Sequence, residues 1–132
     1  MKTLTRYIKE AKSGVLLWID DIRNPMDPIW QKWIKANFGT NDFDITWLKS
    51  YDEVVNFVNK FGIPSNVSFD HDLGDIDNPT GEKTGYDCVK FMVNYCMDND
   101  MEFPNYRIQS DNGPGRENMD KYIQNFKKYY NK

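Results

Sequence analysis

Apolar and polar positions alternate along this chain between two periods, and the switches mark its elements. Leu4, Tyr7, Ile8 and Ala11 fall at i, i+3, i+4, i+7, which predicts an amphipathic helix over residues 1–13 that Gly14 ends. Val15 to Ile19 is an unbroken apolar run of strand length, as expected of a strand covered on both faces of a parallel sheet, and it stops at Asp20-Asp21. Ile29, Trp30, Trp33, Ile34 and Phe38 then line one face of a helix over 28–38, with Pro28 at its start and Gly39 past its end.

A second strand is predicted over 43–48. Ser50 and Glu53 form a capping-box pattern ahead of Val54, Phe57, Val58 and Phe61, and Gly62 closes that helix. The third strand is predicted over 66–69. A polar loop from Asp72 to Lys83 follows, long enough to read as a lid or as a surface insertion. Thr84 and Asp87 then cap a helix with Val89, Met92, Val93 and Cys96 in its buried stripe. A fourth strand over 106–109 leads through a turn, Ser110 to Gly115, into a last helix marked by Met119, Tyr122, Ile123 and Phe126.

Strands alternating with helices predict right-handed βαβ units and a four-stranded parallel sheet with helices on both faces. The expected organisation is an N-terminal helix, 1–13, followed by one α/β domain, 14–132, because 132 residues suffice for one core but not two. The net charge of −3 disfavours general attraction to duplex nucleic acid, though it leaves room for a local basic patch. No run approaches the roughly 18 apolar residues of a membrane span, and the N-terminus lacks a signal-peptide core, so the expectation is a cytosolic protein without a membrane partner. Cys88 and Cys96, eight apart on one helix, read as reduced core residues. Trp18, Trp30, Trp33 and Trp47 read as core, and Lys121, Lys127, Lys128 and Lys132 as a solvated face of the last helix.

In such sheets ligands bind beyond the carboxyl ends of the strands. Strand one delivers Asp20 and Asp21 there, strand three Asp70, His71 and Asp72, and strand four Gln109 and Ser110. Carboxylates crowded in one crevice repel one another unless they protonate or bind a cation, and a hard ion such as Mg²⁺ or Mn²⁺ suits a few carboxylates with phosphate oxygens. Asp20, Asp21, Asp70 and Asp72 are therefore the candidate metal ligands, with Asp72 assigned more to fixing its loop. His71, the one histidine, is a candidate general acid or a backbone-bonded loop residue. The turn from Ser110 through Asn112 and Gly115 to Arg116 offers hydroxyl, amide, N–H and guanidinium groups to an anion beside a helix N-terminus.

Leu17 to Pro25 (LWIDDIRNP), Phe69 to Gly74 (FDHDLG), Thr84 to Asp87 (TGYD) and Ser110 to Met119 (SDNGPGRENM) together resemble the cyclic-phosphate-processing receiver domain family, in the family's order and over roughly residues 14–126. The resemblance implies a flavodoxin/receiver-like three-layer sandwich, here without the fifth strand, and an activity on cyclic phosphates or nucleic-acid ends. Some phage members are described as modifiers of suppressor tRNAs, which would place such a protein in the host cytoplasm. By position, Asp20 and Asp21 match the family's first-strand acids, Asp70, His71 and Asp72 its third-strand triplet, and Ser110 and Asn112 its phosphate turn. Gln109 stands where the family often has histidine.

The expectation is a metal-dependent phosphoesterase with Asp70, His71 and Ser110 as catalytic residues and Asn112, Gly115 and Arg116 as phosphate contacts. Its substrate would be a nucleotide or RNA phosphate, with tRNA a candidate carrier. The alternatives are a non-catalytic module for RNA, nucleotide or protein, and a phosphoaspartate switch at Asp70. The Asp70-x-Asp72 pattern of haloacid-dehalogenase-type phosphatases is discounted, because there it ends the first strand of a larger domain.

Overall fold

A computed structural model describes residues 14–73 and 83–130. The expected helix over 1–13, most of the polar loop (74–82) and Lys132 lie outside the described residues. Within them the order is β1 (Val15–Ile19), α1 (Pro28–Phe38), β2 (Asp44–Leu48), α2 (Tyr51–Phe61), β3 (Asn66–Phe69), α3 (Gly85–Asp98), β4 (Asn105–Ile108) and α4 (Gly113–Tyr130). The strands form one parallel sheet in the order β2-β1-β3-β4. This is the receiver-like α/β arrangement with four strands among the described residues.

Two faces of different character enclose the sheet. Leu17 and Ile19 of β1, Val67 and Phe69 of β3, and Ile108 of β4 point into the larger core, which α2, α3 and α4 close with Val54, Val58, Val89, Met92, Met119 and Ile123. Leu16 and Trp18 point to the other face, where α1 supplies Ile34, Trp30 and Trp33. Trp18 has no exposed surface, and its ring lies 5.8 Å from both of those indoles. The period-two alternation of β1 thus feeds both cores, which is why its sequence reads as unbroken apolar.

The caps form largely where the sequence placed them. Ser50 Oγ accepts from Glu53 N–H at 3.2 Å, and Thr84 and Asp87 make a reciprocal capping box. Gly39 takes φ 82° just past α1, a left-handed position that glycine adopts without strain. The last helix departs from expectation, because it begins at Gly113 rather than after Gly115. Asn112 is the reason: its Oδ1 accepts from Gly115 N–H at 3.0 Å and its carbonyl from Arg116 N–H at 2.8 Å, so the glycines form the first turn. β2 starts one residue later than predicted, and β4 lies one residue earlier. Cys88 and Cys96 are buried and unbridged, and burial pushes both thiols up, Cys96 to about 11. No described helix is long and apolar enough to cross a membrane.

Candidate functional site

The carboxyl ends of β1 and β3 are neighbours in the sheet, and they bring three acids together. One carboxylate oxygen each from Asp20, Asp21 and Asp70 lies within 4.8 Å of the others. Asp20 has no exposed surface and Asp70 almost none, while Asp21 is half-buried. Burial and the neighbouring Asp20 carboxylate raise the Asp70 carboxyl from its ordinary 3.8 to about 6, with Arg23 opposing.

Asp20 is built into its position. Its Oδ1 accepts from the N–H groups of Ile22 and Arg23, both at 2.9 Å, which turns the chain immediately after β1. Its Oδ2 faces the Arg23 guanidinium at 3.2 Å and Gln109 Nε2 at 3.3 Å. Two tryptophans hold the same loop: Trp47 Nε1 donates to the Asp20 carbonyl, and Trp18 Nε1 donates to the Arg23 carbonyl at 2.9 Å. Trp18 is a core residue and Trp47 a half-buried one packed against the smaller core, and their N–H groups also fix the backbone of the acid loop.

Arg23 is the site residue to which the sequence reading gave no role. Its Nη1 lies 3.2 Å from Asp20 Oδ2 and 3.5 Å from Asp70 Oδ2, its Nη2 lies 2.9 Å from Asp111 Oδ2, and the group sits over the Trp30 ring at 5.4 Å. Burial alone would lower the Arg23 pKa, but the carboxylates of Asp20, Asp70 and Asp111 outweigh it and raise it. The signal was present: an aspartate that closes a turn on the N–H three residues later brings that residue's side chain back to its own carboxylate.

His71 and Asp72 point elsewhere. His71 Nδ1 pairs with Asp72 Oδ1 at 2.8 Å, and the Asn112 amide approaches both, at 3.3 Å and 3.4 Å. The His71 hydrogen bond lowers the Asp72 carboxyl below its ordinary value, helped by Asn112. Asp72, two-thirds exposed, is not brought into the acid trio. Past Phe69 the strand has ended, so alternation no longer decides where residues 71 and 72 aim.

Two glycines allow these approaches. A Cβ on Gly85 would lie 1.8 Å from the Asp70 carbonyl oxygen, so only glycine lets α3 start against the end of β3, where Gly85 N–H donates to the His71 carbonyl at 2.7 Å. A Cβ on Gly115 would lie 2.5 Å from His71 Cδ2, so the ring packs on the first turn of α4. Gly115 N–H, expected to face an anion, is bonded to Asn112.

Ser110 is buried at the end of β4, and its Oγ accepts from Asn112 N–H at 3.1 Å. Arg116 is exposed and lines a groove of about 720 Å³ beside β4 and α4, with Tyr106, Arg107, Glu117, Asp120 and Lys127 among its neighbours. Gln109 lies beneath Asp20: its Nε2 also donates to the Ile19 carbonyl at 3.1 Å, and its Oε1 accepts from Ser68 Oγ.

Three oxygen-donor carboxylates on two adjacent strand ends, two of them buried, match the donor set of a hard divalent cation. The Arg23 guanidinium beside them sets one positive charge against Asp20 and Asp70. The family model for the cyclic-phosphate processing receiver domain matches residues 15–125, a span that holds the acid trio, Arg23, His71, Asp72, Gln109, Ser110, Asn112 and Arg116. Among curated proteins, none matches the chain.

Proposed function

The chain belongs to the cyclic-phosphate processing receiver domain family, and from that premise we propose that its acid trio supports metal-dependent processing of a phosphate ester. The substrate in this reading is a 2′,3′-cyclic phosphate at an RNA end or a cyclic nucleotide, with tRNA as a candidate carrier. The observation that carries it is the buried trio, in which burial first and the Asp20 carboxylate second let Asp70 hold its proton up to about 6.

Asp20, Asp21 and Asp70 would hold Mg²⁺ or Mn²⁺, which when bound polarises a phosphoryl oxygen and lowers the pKa of a coordinated water. The chain's own groups supply the rest. Asp20 keeps Oδ2 turned to the pocket because two N–H groups fix Oδ1. Ser110 and the first turn of α4 form the wall facing the phosphate, where the helix terminus favours negative charge. Asp72 accepts from His71 Nδ1 and so fixes the ring; in its imidazolium form, with both nitrogens protonated, Nε2 would donate a proton to the leaving oxygen and Nδ1 would keep its bond to Asp72. The groove beside β4 sets Arg107, Arg116 and Lys127 against Glu117 and Asp120, a small local excess of positive charge to which an RNA strand would be drawn on a chain of net charge −3.

The test is a panel of 2′,3′-cyclic and 3′,5′-cyclic phosphates incubated with purified protein and Mg²⁺ or Mn²⁺. Ring opening that Asp70→Asn abolishes is expected. No product from any substrate, with the variant no different from wild type, refutes turnover. A second reading, binding without turnover, draws on Gln109, a side chain that does not titrate in the position where the family often carries histidine. Calorimetry showing tight binding of a cyclic phosphate that persists unreacted selects it.

A further inference from the structure

The oxygens that Arg23 engages are those a metal would need. Asp20 Oδ1 is already bonded to two backbone N–H groups, so Oδ2 is its oxygen turned into the pocket, and that oxygen faces Arg23 Nη1 at 3.2 Å. The same Nη1 lies 3.5 Å from Asp70 Oδ2. A divalent ion on these oxygens would share them with a guanidinium nitrogen at contact distance, and like charges that close, in a site largely shut from water, repel strongly.

The rest of the Arg23 side chain is held independently of the trio. Nη2 bonds Asp111, whose side chain is 96% exposed, and the guanidinium lies over Trp30 of α1. The fork of arginine separates the two functions: one nitrogen faces the buried acids and the other a carboxylate in solvent. Nη1 is therefore able to leave the acids while Nη2 keeps its partner.

We propose that Arg23 is a built-in competitor for the divalent-cation site. It neutralises Asp20 and Asp70 when no metal is bound, and metal binding requires its guanidinium to withdraw from them. The inference rests on the reading of Asp20, Asp21 and Asp70 as metal ligands. It makes metal affinity a property set by a cation within the chain, weaker than the trio alone would give, and it makes the pocket tolerable to the fold in the metal-free state.

The test is Mg²⁺ titration of metal-stripped wild type, Arg23→Gln and Arg23→Lys by calorimetry, with the ¹⁵N resonance of the Arg23 side chain followed in wild type. Arg23→Gln is expected to bind Mg²⁺ about tenfold or more tightly, corresponding to the loss of one competing ion pair. Arg23→Lys, which keeps the charge, is expected to stay within about threefold of wild type. The Arg23 resonance should shift in step with saturation. Wild type that binds Mg²⁺ while Arg23→Gln binds no tighter, or an Arg23 resonance unmoved at saturation, overturns the proposal and leaves the metal reading standing. Absence of Mg²⁺ binding in all three proteins overturns both. If Arg23→Gln does not fold, the wild-type resonance decides.

Discussion

Replacing Asp70 by asparagine tests whether the pocket stores electrostatic strain in the metal-free protein. In the unfolded chain the Asp70 carboxyl ionises near 3.8, whereas in the folded chain burial and Asp20 hold the proton to about 6. Between those values the folded state binds a proton that the unfolded state has lost, so stability falls as pH rises through this window. At about 1.4 kcal/mol per pH unit, the loss complete above pH 6 amounts to about 3 kcal/mol. Asparagine keeps the shape without ionising, and Arg23 retains Asp20 and Asp111. The Arg23 attraction is already contained in that net shift, because it opposes the rise. At pH 7.5 in chelator, Asp70→Asn should therefore be more stable than wild type by about 3 kcal/mol, which for a domain of this size raises Tm by roughly 8 to 15 °C. Urea melts of both proteins from pH 4 to 8 measure it, and their difference isolates Asp70 from other titrating groups. Wild type should lose stability relative to the variant from pH 4 to 6 and then run parallel to it. Excess Mg²⁺ should stabilise wild type and leave the variant unchanged. A difference independent of pH, or a variant less stable than wild type at pH 7.5, refutes the reasoning.

Gly85→Ala must move either the end of β3 or the start of α3, since its Cβ would meet the Asp70 carbonyl at 1.8 Å. A loss of about 3 kcal/mol in urea melts, together with weakened Mg²⁺ binding, is expected. Gly115→Ala forces the His71 ring off α4. It should shift the His71 ring resonances while costing only about 1 to 2 kcal/mol, and unchanged resonances would contradict the packing. Asp72 has its carboxyl lowered by His71, so it contributes stability that is present above about pH 4 and lost as pH falls below that. Asp72→Asn should remove that acid-side loss and leave metal affinity within about twofold, whereas a much larger loss of affinity would make Asp72 a ligand. Gln109→Leu leaves Ser68, the Ile19 carbonyl and Asp20 without its amide. A cost of about 2 kcal/mol and weaker Mg²⁺ binding should follow, measurable by melts and calorimetry.

The elements were legible because each rests on local information. The apolar stripes, Ser50 with Glu53, Thr84 with Asp87, and the glycines after α1 and α2 all act within a turn of their own helix. The acid trio was legible for a topological reason: parallel strands deliver their carboxyl ends to one edge, so residues following β1 and β3 had to meet. What escaped were contacts between segments whose meeting depends on backbone closeness. Gly85 reads as a residue next to a cap, and its need to lie against Asp70 appears only once α3 is set on β3. The aim of Asp72 was hidden because no periodicity governs a chain after its strand ends. Arg23 was hidden differently. Its motif was read, but it lay beside two acids that absorbed the chemical interpretation, although the pocket's charge balance includes a cation.

Gln109 shows what that position asks of a side chain. It needs a donor towards the Ile19 carbonyl and Asp20 Oδ2, and an acceptor for the Ser68 hydroxyl. A neutral imidazole, with one N–H and one bare nitrogen, offers the same pair of functions, so the histidine frequent in the family and the glutamine here meet one hydrogen-bonding requirement. Gln109 is almost completely buried, beneath Asp20 rather than beside the pocket opening. A group so placed orients Asp20 and sets the charge around it, and direct proton transfer to a substrate is not what its surroundings favour. Glutamine also keeps its donor at every pH, whereas an imidazole there would add positive charge under Asp20 when protonated. The exchange therefore bears on how pH tunes the acid trio more than on whether a proton donor exists, and it leaves His71, tied to Asp72, as the ring that the proposed chemistry can use.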